Sequence, residues 1–135
     1  MSPSSKTTAK PKTQDLLLSL MDAWPKSWAG TADDIPIGEG LVALLKPFII
    51  QLHTLDLSAR TIRRHLDNLW VIGGEIIREV NYQPKLCNKS PQNLLCDAVS
   101  DGDAPYVHDA SESEQRSLDT TARKLHNYLV STYLF

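Results

Sequence analysis

The sequence predicts an all-α fold, a small, irregular bundle of about five helices. Three observations predict it. Apolar residues recur every three or four positions along several stretches, the spacing that lines one face of a helix. No segment alternates polar and apolar residues for long enough to be a strand. Serines placed to cap a helix stand before three of the periodic stretches. With 135 residues, 41% of them apolar, the chain is long enough for one domain with its own core.

Taken in order, residues 1–14 are Ser, Thr, Lys and Pro with almost nothing to bury. They read as a disordered, solubilising tail ahead of a single helical domain over 15–135. The first helix is expected over 15–24, on Leu16, Leu17, Leu20, Met21 and Trp24, with Pro25 stopping it. Residues 25–37 hold two prolines, a glycine and Ala32-Asp33-Asp34, and read as a loop pinned by Trp24 and Trp28. The second helix is expected over 38–55, with Leu41, Leu44, Leu45, Phe48, Ile49 and Leu52 on one stripe. Pro47 lies inside it and predicts a kink or a break near 43–46, because proline removes a backbone bond and clashes with the preceding turn.

The third helix is the clearest. Ser58 caps it, and Ile62, Leu66, Leu69, Gly73, Ile76, Ile77 and Val80 step along one face. Gly73 and Gly74 each cost about 1 kcal/mol relative to alanine there. They predict either the close approach of a neighbouring helix or a hinge. A loop follows, then Ser90 and Pro91 open a short helix. An acidic loop leads to a capping box, Ser111 with Glu114, and a last helix with Leu118, Ala122, Leu125, Leu129 and Thr132 on its buried stripe and Tyr128 beside them.

The net charge of -2 hides a gradient. Residues 57–85 carry a net +2, and residues 97–119 carry a net -6. The longest apolar run, 41–52, is broken by Lys46 and Pro47, so no membrane span is expected. The N-terminus lacks the apolar region of a secretory leader. Two cysteines cannot build a disulfide framework, so a reduced, cytoplasmic setting is the expectation. No cofactor and no metal are expected. Cys87 and Cys96 lack metal-ligand spacing, with His108 the nearest histidine. Asp97, Asp101 and Asp103 lack the alternation of a calcium loop and its closing glutamate. Phosphate-binding glycine loops, nucleophile elbows and His-Glu-x-x-His helices are absent from the sequence. His53 and His65 have no recognisable catalytic partner. The expectation is a protein that is not an enzyme and takes no small-molecule substrate.

The stretch Leu57-Ser-Ala-Arg-Thr-Ile-Arg-Arg-His-Leu66 resembles the entry to a DNA-reading helix. A helix-turn-helix needs a small residue about six positions before the serine, an apolar one just before that, and a glycine two before the serine. Leu52, Gln51 and Asp56 stand there instead. The helix also continues through Val80 as a core element. A wider pattern matches better. Leu57, Ser58, Thr61, Ile62, His65 and Leu69, followed by Thr121, Arg123, Leu125 and Leu129, resemble the N-terminal core-binding (SAM-like) domain of tyrosine recombinases, over about residues 40–132. The catalytic domain of that family does not follow before Phe135. The resemblance therefore implies a stand-alone, non-catalytic DNA-binding accessory module of a mobile element. It implies phosphate contacts from a basic helix face. Arg60, Arg64 and Arg78 fall near one line at 100° per residue, with Arg63 flanking. The alternative is a protein-interaction module without direct DNA contact. Tyr128, Tyr133, Leu134 and Phe135 make an apolar end that docks into the chain's own core, a partner or a second copy.

Overall fold

The computed structural model describes residues 11–133, so Leu134, Phe135 and most of the tail read as disordered lie outside the described residues. The described chain is helical: α1 (Pro11–Met21), α2 (Trp24–Trp28), α3 (Asp34–Leu52), α4 (Ala59–Tyr82), α5 (Pro91–Ala98) and α6 (Glu112–Tyr133), with a 3₁₀ turn over Pro84–Asn88. No strand occurs among the described residues.

α4 is the spine, and every other element packs against it. All seven residues of its expected stripe are buried, and His65 and Ile72 join them. Around it lie Leu41, Leu45, Phe48, Ile49 and Leu52 of α3, Leu94 and Leu95 of α5, and Leu118, Ala122, Leu125 and Leu129 of α6. The caps form as the sequence predicts. Ser58 Oγ accepts from the Thr61 N–H at 3.1 Å, and Ser90 Oγ from Asn93 at 3.1 Å. The Ser111 N–H donates to Glu114 at 2.8 Å, while the Glu114 N–H donates to Ser111 Oγ at 3.1 Å, completing the capping box.

Several boundaries differ from expectation. Among the described residues α1 runs from Pro11, so residues 11–14 belong to a helix and not to the tail. It ends at Met21, before Trp24. The segment read as one loop over 25–37 is mostly helix, which raises the count of α-helices among the described residues to six. α2 starts with Pro25 in its first turn. α3 begins at Asp34, not at 38, with Pro36 in its first turn, where a missing N–H leaves no bond unmade. Pro47 does not break α3, which runs unbroken from Asp34 to Leu52. Pro47 and Ala43 are both exposed, so the bond that the proline removes lies on the solvent side of the helix. Buried Leu45, Phe48, Ile49 and Leu52 hold the helix on both sides of Pro47. α3 is long and apolar enough to cross a membrane, by length and composition alone. Here its apolar stripe is the centre of the core. On α6, Thr132 is exposed, whereas Thr121 is fully buried.

Gly73 seats an indole. A Cβ at Gly73 would lie 2.3 Å from the Trp28 ring, while one at Gly74 would meet the same ring at an ordinary 3.4 Å. Trp28 Nε1 donates to the Trp70 carbonyl at 2.9 Å, and Trp70 Nε1 donates to Ser27 Oγ at 3.0 Å. The close approach expected at the glycines is therefore to a tryptophan from α2, and α4 continues through them as one helix. A second tie joins the same regions. The buried Asp34 carboxylate accepts from the Gly30 N–H at 2.8 Å, the Thr31 N–H at 3.1 Å and Asn81 Nδ2 at 3.1 Å. Burial pushes its pKa up, but the bonds from Asn81, Gly30 and Thr31 together outweigh burial and hold it below the usual carboxylate range.

Candidate protein-docking face

The arginines expected to contact DNA are all exposed on α4. They do not form one patch. Arg60 and Arg64 lie one turn apart at the start of the helix. Arg78 is 18 residues on, about 27 Å along the axis at 1.5 Å per residue. Arg63 is tied to Asp67 by a 3.1 Å ion pair on the helix surface, a type worth about 0.3–0.5 kcal/mol. Tyr82 engages Arg78, its ring 5.8 Å below the guanidinium. That tyrosine first, and then the charges of Glu75 and Asp109, push the Arg78 pKa up further. Asp109 belongs to the acidic loop, which thus flanks the C-terminal half of the arginine line. Two bonds from α6 hold the loop there. Asp119 accepts from the Ala104 N–H at 3.0 Å, and Gln115 accepts from the Val107 N–H at 3.0 Å. What remains basic is the start of α4, where Arg64 and Lys124 of α6 act together on His65.

His65 itself is buried in the seam between α4 and α6. Asn68 Nδ2 donates to Thr121 Oγ1 at 2.9 Å and to Ser117 Oγ at 3.0 Å. Thr121 Oγ1 lies 2.7 Å from His65 Nδ1. The Thr121 hydroxyl therefore bridges Asn68 and the His65 ring across the seam. Burial first, and then the charges of Lys124 and Arg64, push the His65 pKa down to about 4. This is a packing and hydrogen-bonding role. His53 Nδ1 donates to the Ile49 carbonyl at 2.9 Å. Tyr128 packs against Phe48, ring centroids 5.4 Å apart, and burial pushes its phenol up. Tyr133 is exposed, Cys87 is exposed and Cys96 is half-buried. No group of three or more potential metal ligands occurs among the described residues.

The sequence reading did not single out the surface between α1, α2 and α4. There Leu20, Ala23, Trp24, Leu66, Trp70 and Val71 line an open groove of about 470 Å³, with Ser27, Arg63 and Asp67 at its edge. Leu20 is 41% exposed and Trp70 44%, and Leu16, one turn before Leu20, is 61% exposed. Leu16 and Leu20 were expected in the core, yet only Leu17, Met21 and Trp24 of that set are buried. A signal was present. The run Leu16-Leu17-Leu18-Ser19-Leu20-Met21 puts leucine on more than one helix face, more than a single core contact covers. Trp70 likewise falls off the buried stripe of α4.

No family model, curated protein or solved structure matches this chain. The residues behind the recombinase resemblance have structural work here: Ser58 caps, Ile62, Leu69, Leu125 and Leu129 are core, and His65 bonds Thr121.

Proposed function

We propose that this protein is a non-catalytic helical binding module, and that its partner is another protein docked in the groove between α1, α2 and α4. The observation that carries this reading is Trp70. It stands 44% exposed at an apolar groove, yet its indole is fixed by the bond to Ser27. Aromatic and arginine side chains dominate binding energy at protein interfaces. An anchor already held in place loses little entropy on docking. Leu16 and Leu20 extend the apolar surface, and Arg63 stands at its rim.

The test places a photo-crosslinking amino acid at Leu20 and irradiates the cells that encode the protein. A discrete adduct is expected, lost on Trp70→Ala and absent when the crosslinker sits at exposed Ser113 instead. Adducts that are equal at both positions would contradict the reading. A second reading, binding to the DNA backbone, draws on Arg60, Arg64 and Lys124, which make the start of α4 basic. It is the activity that the recombinase resemblance implies. Asp67, Glu75 and Asp109 along the rest of the arginine line oppose it, since carboxylates there repel phosphate.

A further inference from the structure

A second concavity shares no residue with the docking groove. It is a cleft of about 460 Å³ between the C-terminal half of α4, the 3₁₀ turn, α5 and the loop after α5. Its floor is apolar, made chiefly by Ile76, Leu86 and Leu94. Its rim is acidic. Glu75 and Glu79 stand one helical turn apart on α4, and Asp97 faces them from α5. Like charges at this spacing destabilise a helix by about 0.2–0.5 kcal/mol per pair. Among the described residues, the one cation lining the cleft, Lys89, is bound to Asp97 at 2.8 Å. Glu79 accepts from Gln83 at 2.6 Å, a neutral donor that leaves its charge in place. Tyr106, 75% exposed, stands at the mouth.

An apolar floor under a carboxylate rim suits a side chain with an aliphatic stem and a cationic head. We propose that this cleft binds an arginine side chain presented by a partner polypeptide. The stem lies on Ile76, Leu86 and Leu94, where it buries apolar surface. The guanidinium reaches Glu75 and Glu79, whose paired oxygens match its fork of N–H donors. Tyr106 offers its ring face to the same cation. Arginine fits better than lysine because its planar head both stacks on a ring and bridges two carboxylates.

The test titrates the ¹⁵N-labelled chain with the peptide acetyl-Leu-Arg-Leu-Arg-amide and with its citrulline counterpart, which keeps the shape and lacks the charge. Saturable shifts are expected at the backbone amides of Glu75 to Glu79, Leu86 to Lys89 and Tyr106, with a Kd of about 1 mM or tighter. The citrulline peptide should bind at least about tenfold more weakly, and so should the arginine peptide on a Glu75→Gln/Glu79→Gln variant. Tyr106→Ala should weaken binding about threefold. Shifts spread evenly over the acidic segment 101–114, equal binding of the two peptides, or no saturable shift would each overturn the proposal. The citrulline comparison needs no variant, so it stands even if the double substitution disturbs the fold.

Discussion

His65 shows how one buried residue ties the fold to pH. Its ring is buried against the Thr121 hydroxyl, 2.7 Å from Nδ1, and its pKa is pushed down to about 4, against 6.5 for a free histidine. Between those values the unfolded chain takes up a proton that the folded chain refuses. Stability contributed by this group is therefore complete above pH 6.5 and falls as the pH drops toward 4, by about 3 kcal/mol in all. Denaturant melts between pH 7.5 and 4.5 should show this slope, and His65→Gln should flatten it while lowering stability at pH 7.5. An unchanged slope in the variant would remove the assignment. The sequence could not show this pairing, because 56 residues separate His65 from Thr121. Asp34 was hidden for a different reason. Within Ala32-Asp33-Asp34 it reads as a loop residue, yet only the folded chain brings Gly30, Thr31 and Asn81 to it.

At the scale of elements, what could be read was local. Ser58, Ser90 and the pair Ser111 and Glu114 start their helices within one turn, and the stripe of α4 needs no partner to be recognised. Misreadings came where a residue has two meanings. Pro25 and Pro36 read as breakers in the sequence, but in a first turn proline costs nothing. Pro47 predicts a kink or a break, but α3 is one helix across it, with flanking core contacts on both sides. Gly73 and Gly74 look alike in the sequence and differ in the fold. Gly73→Ala should destabilise by about 1–3 kcal/mol, because a methyl there collides with the Trp28 ring. Gly74→Ala should leave stability unchanged or raise it by up to about 1 kcal/mol, the helix-propensity gain. Thermal melts of the two variants check this, and an equal effect of both would contradict the indole seat.

For the whole molecule, charge and apolar surface divide between faces. Along α4, arginines lie on the outer side, but the acidic loop and Asp67 neutralise much of that line. The exposed leucines of α1 and the fixed Trp70 give the apolar groove. The expectation of a basic DNA-contacting ridge rests on the recombinase resemblance and on the arginines of one helix. Counting along one helix cannot include carboxylates brought there by the loop, which α6 holds in place. The most direct measurement of which face works is a titration of duplex DNA across salt concentrations, with the native chain and with an Arg60→Ala/Arg63→Ala/Arg64→Ala variant. Each phosphate contact contributes about -0.9 to the slope of log K against log salt. A protein-docking module predicts weak binding with a slope shallower than about -2 and little change in the variant. A slope steeper than about -3 that loses two or more units in the variant would contradict it and make the arginine face of α4 the functional one.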